Sequence, residues 1–290
     1  MRIKLCFITI AITLLAAVVC TGCGNNTSKT SMEEIKFSNM AAPAVQEELA
    51  EIMKDAGISA ERQDVFFEHV NDFNSIVSQD SLAVEYEQAA IKDTKYDPYE
   101  MQEEWTEKSP DFMGYNCRIT AFGLYGDYMT IPADSEIRDD MILIDKVPLE
   151  EDSSVLLDED DLAQFSVLYS TIPTVNTKDV DVHVENMKKD WIKRGIEFID
   201  NDKARLISVV FHESMSEEEN YLFIGHVGVL FDTGEKMYFV EKLAFQEPYQ
   251  LTEFESRKQL NHYLMTKYDV DDGQPTARPF VMENDEIMTE

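Results

Sequence analysis

Cysteine is scarce in this chain, which has four cysteines among 290 residues. Three of them, Cys6, Cys20 and Cys23, lie near the N-terminus, and Cys117 is alone in the remainder. Because a disulfide needs two thiols, the body of the chain cannot form an internal disulfide. A lone thiol is either buried and inert or retained for its reactivity. Cys117 is therefore the first candidate for a nucleophile.

Basic residues are also few, with 25 lysines and arginines against 57 acidic residues and a formal net charge of −32. Such a chain lacks the positive surface that binds a phosphate backbone, so the composition excludes nucleic acid as a partner. The negative charge would favour a cationic ligand, although most acidic faces contact only solvent.

Motifs for nucleotides and metals are missing. The sequence has no Walker loop, dinucleotide fingerprint, HExxH helix or paired CxxC. The acidic run at Asp158 lacks the glycine and terminal glutamate of a calcium loop, and we interpret it as acids in the first turn of a helix. The sequence therefore predicts no cofactor and no metal.

The N-terminus is typical of an exported protein. The cationic start MRIK precedes the apolar run LCFITIAITLLAAVVC, which fits a signal peptide and is too short for a membrane-spanning helix. The segment VCTGCG at 19–24 resembles the lipobox of bacterial lipoproteins, with Cys20 where leucine is usual. That resemblance implies cleavage before Cys23 and its acylation, which would anchor an extracytoplasmic domain to the lipid membrane. The alternatives are an ordinary signal peptide cut nearby and an uncleaved anchor.

The rest of the chain is predicted to form a single α+β domain. Apolar residues at helical spacing dominate the first two thirds, and period-two runs dominate the last third. The expected organisation is a signal peptide at 1–22, the lipidated cysteine and a flexible linker at 23–33, and the domain at 34–290. Within the domain we expect a helical part at 34–110, a cysteine-bearing helix at 117–129, a helical insertion at 132–200, and an antiparallel sheet with a C-terminal helix at 204–290.

A thiol nucleophile needs a lowered pKa and a base within hydrogen-bond reach. Cys117 begins a predicted helix, whose positive dipole end favours the thiolate. His226 begins an apolar strand run between Gly225 and Gly228, and small neighbours allow backbone or substrate to approach closely. His226 is therefore the predicted base, with His212 at a strand exit as its rival.

A third residue would orient the imidazole. If the hairpin is centred on Thr233 and Gly234, His226 lies opposite Glu241, and residues paired in this way point to the same face. A carboxylate beside an imidazole fixes its tautomer and stabilises the imidazolium. A slip of one residue would turn Glu241 away and make Gln246 the candidate instead.

Residues beside the thiol are candidates for substrate contacts. Arg118 could bind a substrate carboxylate or pair with an acid of this chain. Tyr115 and Asn116 could donate to an oxyanion together with the backbone N–H of Cys117, or could only shape the turn. The remaining histidines, His69, His183 and His262, are predicted to be exposed on helices, and the tryptophans are predicted to be core.

A cysteine that opens a helix, followed by a hairpin that begins HVG and returns to a polar residue, resembles the NlpC-type papain-like cysteine peptidases. Those enzymes cleave peptide bonds in cell-wall stem peptides. The resemblance implies that Cys117 attacks, His226 is the base and Glu241 orients it, over residues 115–125 and 204–246. This sequence departs from the family at Asn116 and Arg118, in its acidic third residue, and in the long helical stretch between helix and sheet.

Further segments resemble a lipoprotein family of Gram-positive bacteria that is classed as a domain of unknown function. They are GYNCRI, GHVGVLF, VEKLAFQEPYQ, LMTKYD and QPTARPFVMEND. This resemblance covers nearly all of the mature chain and implies a family and a location but no reaction.

The sequence therefore favours a membrane-anchored papain-like cysteine hydrolase or amidase that acts on cell-wall peptides. The alternative is a non-catalytic binding module or pseudoenzyme of the same fold, and a purely structural surface protein is a third. The two leading hypotheses differ in whether Cys117, His226 and Glu241 meet in an accessible cleft.

Overall fold

The computed structural model describes residues 32–93, 96–132, 134–138, 141–151, 159–271 and 273–288. The predicted signal peptide, Cys23, most of the linker and Asp158 lie outside these residues. Within them the chain is α+β, as the sequence predicts.

The described residues contain eight α-helices and eleven strands. The helices are α1 (Pro43–Asp55), α2 (Ala60–Ile76), α3 (Pro98–Lys108), α4 (Cys117–Tyr125), α5 (Leu143–Glu151), α6 (Glu159–Leu168), α7 (Val180–Arg194) and α8 (Arg257–Tyr268). The strands are β1 (Glu34–Ser38), β2 (Glu87–Ala90), β3 (Met129–Thr130), β4 (Ile172–Pro173), β5 (Glu197–Phe198), β6 (Ala204–Ser214), β7 (Asn220–Asp232), β8 (Met237–Lys242), β9 (Tyr249–Phe254), β10 (Phe280–Glu283) and β11 (Glu286–Ile287).

The main sheet is antiparallel, with strand order β11-β10-β6-β7-β8-β9-β1-β2 and with β4 paired to β7. The strand-like runs β6, β7 and β8 form its centre, as the meander predicts. Strand β1, which lies between β9 and β2, has no counterpart among the elements predicted from the sequence. Strands β3 and β5 form a separate two-stranded pair.

Each face of the main sheet packs on helices. The larger apolar cluster joins one face to helices α1 to α7, and it includes Ile119 and Phe122 of α4 together with both tryptophans, Trp105 and Trp191. The smaller cluster joins the other face to α8 through Leu260, Tyr263 and Leu264. The short helix α4 therefore has nearly every side chain buried against the sheet, which fixes where its first residue lies.

The hairpin between β7 and β8 differs in register from the prediction. Asp232 pairs with Met237 and Val229 with Val240, so the turn is centred on Gly234 and Glu235 rather than on Thr233 and Gly234. The turn requires a positive φ, and Gly234 supplies it at +80°. The prediction that His226 pairs directly with Glu241 is therefore wrong by two residues.

This error does not change the face to which either side chain points, because side chains alternate along a strand with a period of two. A shift of one residue would have separated them, whereas a shift of two leaves His226 and Glu241 on the same side.

A β-bulge lies immediately before His226. Val209 of β6 pairs with His226, whereas Val210 pairs with Ile224, so Gly225 has no partner across the strands. A Cβ atom at Gly225 would lie 2.5 Å from the ring of Phe211, and no side chain fits there. The glycine beside His226 thus permits a bulge that aims the imidazole, and the close neighbour is protein rather than substrate.

The predictions for two other histidines are wrong. His69 on α2 and His183 on α7 are buried, although both were expected to be exposed. His69 stacks on Tyr115 with ring centroids 4.0 Å apart, and His183 lies 4.4 Å from His212. Both histidines have polar neighbours in the sequence, and the rings that they contact are distant along the chain, so local sequence did not indicate their burial.

Candidate active site

Helix α4 presents Cys117 at its first position. The side-chain oxygen of Asn116 accepts a hydrogen bond from the backbone N–H of Ile119 (3.1 Å) and so caps the helix. The face of α4 beyond the thiol packs against the main sheet. The Cys117 side chain is thereby held against β7, and it is 8% exposed.

Cys117, His226 and Glu241 meet in the folded chain. Nε2 of His226 donates a hydrogen bond to Oε2 of Glu241 over 2.6 Å. The imidazole is also hydrogen-bonded to the Cys117 sulfur. Because Nε2 contacts Glu241, Nδ1 is the ring nitrogen that remains for this bond. The three groups therefore form a continuous thiol–imidazole–carboxylate chain. His226 and Glu241 are almost completely buried.

The electrostatics of the three groups favour a thiolate–imidazolium pair. Burial opposes ionisation of Cys117, but the hydrogen bond and charge of His226, the charge of Arg118 and the N–H of Val227 together lower its pKa. Burial also opposes protonation of His226, yet the contacts with Cys117 and Glu241 raise its pKa to about 9. Each member thus stabilises the charged form of its neighbour.

A second layer of polar groups holds Glu241. Its Oε1 accepts hydrogen bonds from the hydroxyl of Tyr263 (2.5 Å) and from Nε2 of Gln250 (3.4 Å), and Nζ of Lys267 donates to the Tyr263 hydroxyl (2.9 Å). Burial would raise the pKa of Glu241, but the charge of Lys267 and the bonds from His226 and Tyr263 lower it. The carboxylate therefore stays ionised beside the imidazole.

Sequence analysis missed the residues of this layer. Gln250 is the residue that pairs with Glu241 across β8 and β9, and it, rather than Gln246, is the amide beside the site. Gln246, the alternative in the case of a one-residue slip, lies half-buried in the loop between those strands, and Glu241 is the residue that contacts His226. The register of the second hairpin would have identified Gln250, had the loop been placed correctly.

The ring of Tyr268, the last residue of α8, stacks on the imidazole of His226. Their centroids are 4.7 Å apart and the planes differ by 23°. Contact with a flat ring restricts rotation of the imidazole, so Tyr268 and Glu241 together fix its plane. Nothing in the sequence near His226 indicates this contact.

Two of the predicted substrate contacts are engaged within the protein. Nε of Arg118 donates to Oδ1 of Asp145 (3.0 Å), and a second guanidinium nitrogen lies 2.8 Å from Oδ2. The amide nitrogen of Asn116 donates to the same carboxylate. Asp145, which is buried on α5, therefore holds both residues that flank Cys117. Of the two roles considered for Arg118, the structure shows the ion pair with an acid of this chain.

The other candidates have different surroundings. Tyr115 is buried between His69 and Phe112, and its hydroxyl has no hydrogen-bond partner among the described residues. His212 accepts a hydrogen bond from the N–H of Ala277 (3.0 Å) and its Nε2 contacts Oδ1 of Asn220 (3.1 Å). Because both nitrogens of His212 are engaged, it is not available as the base.

The loop at 243–248, between β8 and β9, lies beside the site. The side-chain nitrogen of Lys242 is buried, which lowers its pKa well below the usual value, and it donates to the carbonyls of Ala244 (2.9 Å), Phe245 (3.3 Å) and Glu247. Gly114, three residues before the thiol, lies close to the carbonyl of Phe245. The segment that leads to Cys117 therefore meets the loop at 243–248.

Two cavities border this loop. One of about 370 Å³ includes Gly114, Tyr115 and Lys242 in its lining, and one of about 580 Å³ includes Leu243 and Tyr268. Among the residues that the structure describes, no group of three or more histidine, cysteine, aspartate or glutamate side chains could hold a metal ion.

A protein-family model described as a domain of unknown function, DUF4300, matches residues 36–288. No curated protein and no solved structure matches the chain. None of the helices in the described ranges is both long and apolar enough to cross a membrane. Since the family match covers most of the sequence, the chain belongs to the DUF4300 family.

Proposed function

We propose that this member of the DUF4300 family is a cysteine hydrolase that cleaves amide bonds. The observation that carries the proposal is the chain of contacts from the Cys117 thiol through His226 to Glu241, in which the pKa of the thiol is lowered and that of the imidazole is raised. A structural cysteine would not need a buried, oriented imidazolium beside it.

In the proposed reaction each group has its own step. The Cys117 thiolate attacks the amide carbon, a C–S bond forms, and the electrons of the carbonyl move to its oxygen. His226 gives its proton to the leaving nitrogen, the C–N bond breaks, and an acyl-enzyme remains. Water then loses a proton to His226 and attacks the thioester, which releases a carboxylic acid and the thiol.

Developing charge on the carbonyl oxygen requires hydrogen-bond donors. The first backbone N–H groups of α4, at Cys117 and Arg118, have no partner within the helix. Asn116 caps a later N–H and is bonded to Asp145, so it is a positioning residue for the helix start rather than an oxyanion donor.

We further propose that the protein acts outside the cytoplasm while anchored by acylated Cys23, on cell-wall peptides. The lipobox-like segment at 19–24 supports the location, and the resemblance to NlpC-type peptidases supports the substrate class. The lipoprotein resemblance likewise favours a Gram-positive host.

The test is to incubate the mature chain with cell-wall stem peptides and search for new amine and carboxylate ends by mass spectrometry. We expect cleavage by the wild type and none by Cys117→Ser. In parallel, iodoacetamide should label Cys117 in the folded chain below pH 7, and the urea-unfolded chain should need a pH above about 8, where an ordinary thiol ionises. Matching pH profiles for folded and unfolded chain would contradict the proposal.

A binding module is the second candidate function, and one observation favours it. Cys117 is only 8% exposed. If the folded chain binds stem peptides without cleaving them, and labels only above about pH 8, the site is a binding module.

A further inference from the structure

The cavity of about 580 Å³ lies on the imidazole side of the site. Tyr268 forms part of its wall, and the ring of Tyr268 stacks on His226 with centroids 4.7 Å apart. In the proposed reaction His226 gives its proton to the leaving nitrogen, so the part of the substrate that leaves must lie near this imidazole. The cavity is therefore in the right place to receive the leaving group.

Lys267 of α8 connects this cavity to the site through hydrogen bonds. It lines the cavity, and its Nζ donates to the hydroxyl of Tyr263, which donates to Glu241, the carboxylate that accepts from His226. Each of these three bonds spans about 3 Å. Two or three residues of extended peptide, at about 3.5 Å per residue, can therefore reach from His226 to Lys267.

The charge of the cavity differs from that of the chain as a whole. The formal net charge of the chain is −32, whereas the charged side chains of this lining are two lysines, Lys92 and Lys267, and one acid, Glu247. In the part of the chain that the structure describes, neither lysine forms an ion pair, and Lys267 uses one of its three N–H groups in the bond to Tyr263. An anionic group in the cavity would therefore gain two cationic partners.

The hydroxyl of Tyr268 is an independent indication of a ligand. Tyr268 is only partly buried, and its hydroxyl is neither hydrogen-bonded within the described residues nor sealed from solvent. Burial and the charges of Glu241 and Cys117 raise the pKa of Tyr268 well above its usual value, so the hydroxyl keeps its proton and remains a donor. A carboxylate in the cavity would accept this hydrogen bond.

The rest of the lining fits a peptide that carries such a carboxylate. Ile91 and Leu243 provide apolar surface for small side chains. Glu247 is half-buried in the loop at 243–248, forms no ion pair among the described residues, and can accept a hydrogen bond from an N–H group. A free carboxylate and an N–H group occur a few atoms apart at the C-terminal residue of a peptide.

We propose that this cavity binds the C-terminal end of a peptide and that the protein releases a short fragment with a free carboxylate. Lys92, Lys267 and Tyr268 bind the carboxylate, and Glu247 accepts an N–H group. His226 protonates the nitrogen that leaves. The inference rests on the proposed function and names the substrate class of that site, namely peptides cleaved about one to three residues from a free C-terminus.

Binding can be tested without turnover in the mature chain with Cys117→Ala. The probe is Nα-acetyl-alanyl-alanine, and the control is its C-terminal amide, which differs only in lacking the carboxylate charge. Isothermal titration calorimetry measures both affinities. We expect the acid to bind at least about tenfold more tightly than the amide, with an affinity that falls as salt is added.

Matched variants locate the carboxylate. Lys92→Gln and Lys267→Gln should each weaken binding of the acid at least about threefold. Lys258→Gln, which removes a lysine of α8 outside this cavity, should leave it unchanged. Tyr268→Phe keeps the ring on His226 and removes only the hydroxyl, so it should weaken binding of the acid about threefold. Circular dichroism checks that the variants fold.

The products of the wild-type chain give a second readout. A peptide with a free C-terminus should lose a fragment of about one to three residues, and its C-terminal amide should be cleaved at least about tenfold more slowly. Mass spectrometry of the fragments measures both.

Equal affinity for the acid and the amide, or equal effects of Lys267→Gln and Lys258→Gln, would overturn the subsite. Cleavage of the free and amidated peptides at the same rate would reject the subsite and keep the hydrolase. Selective binding of the acid by Cys117→Ala, without labelling of Cys117 near neutral pH in the wild type, would reject the hydrolase and keep the carboxylate subsite.

Discussion

Two clusters of buried side chains in this protein contain imidazoles in opposite electrostatic settings. His226 contacts a thiol and a carboxylate, and its pKa rises to about 9. His183 lies beside another imidazole, that of His212, and burial lowers its pKa. Both are nearly inaccessible to solvent, so burial alone does not decide whether a histidine is charged. The identity of the neighbours decides it.

Hydrogen bonds show the same contrast. The Nδ1 atom of His183 lies 2.7 Å from the hydroxyl of Thr174, and its Nε2 lies 2.9 Å from the carbonyl of Thr177. Because a carbonyl only accepts, Nε2 carries the proton, and the neutral tautomer satisfies both contacts. The His183 pair therefore has a structural role, whereas the His226 group is arranged to carry charge.

The sharpest way to break this comparison is to remove the imidazole from the charged site. In His226→Ala the Cys117 thiol keeps its burial but loses the contact that lowers its pKa. An ordinary thiol is about 1% ionised at pH 6.5, so we expect iodoacetamide labelling at that pH to slow, by at most about 100-fold. Quantitative mass spectrometry of labelled Cys117 measures the rate.

His262→Ala is the control for that experiment, because His262 is a partly exposed histidine of α8 that contacts Glu33. An equal loss of labelling in both variants would show that the effect comes from general destabilisation and that His226 has no special relation to the thiol.

Glu241→Gln should have the next largest effect. The amide keeps the shape but not the charge, so the pKa of His226 should fall and that of Cys117 should rise. A change of one pKa unit gives about a tenfold lower thiolate fraction on the acidic side of the profile. The pH profile of labelling, rather than a single rate, measures it. An unshifted profile would remove Glu241 from the group.

The neutral His183 should affect how the free energy of unfolding depends on pH. In the folded chain the lowered pKa keeps His183 neutral, whereas in the unfolded chain it takes up a proton as the pH falls below about 6.5. The unfolded state then binds more protons, so this contribution is present above that pH and is lost as the pH falls. Between pH 7.5 and 5.5 we expect a loss of at most about 1 kcal/mol.

Urea unfolding of the wild type and of His183→Gln at both pH values measures this term. The variant should show a smaller drop in the free energy of unfolding, while His262→Gln should retain the wild-type drop. A wild-type drop in His183→Gln would assign the pH dependence to other groups.

The smallest effect is expected for Tyr263, in the layer of polar groups that holds Glu241. Tyr263→Phe removes one hydrogen bond to Glu241 but leaves its bonds to His226 and Gln250. We expect labelling of Cys117 near pH 6.5 to slow about two- to threefold, the order of one modest hydrogen bond. Tyr99→Phe on exposed α3 should change nothing. A larger effect than that of Glu241→Gln would reverse the proposed order of contacts.

The sequence allowed prediction of the helix start at Cys117 and of the strand that contains His226, because both depend on local periodicity and capping. The contact between His226 and Glu241 was predicted from a wrong register, and it survived since the error was an even number of residues. An odd error would have pointed to Gln246, whereas Glu241 is the residue that contacts His226.

The missing parts come from elements far apart in the chain. Asp145 lies on α5, in a stretch without clear period, and Tyr268 stacks on His226 from the end of α8. The burial of His69 and His183 likewise depends on rings that no local pattern links to them. Tertiary packing decides such contacts, and local sequence patterns do not identify a partner that is distant along the chain.

The position of β1 has a mechanical consequence. The strand begins at Glu34 and is bonded along both edges, to β9 and to β2. A pull on the preceding chain acts along the strand, so it strains the bonds on both edges together instead of opening them one after another. If a tether holds the N-terminal end, drag on the domain would act on β1 and its two neighbours, β9 and β2, before any helix is peeled away.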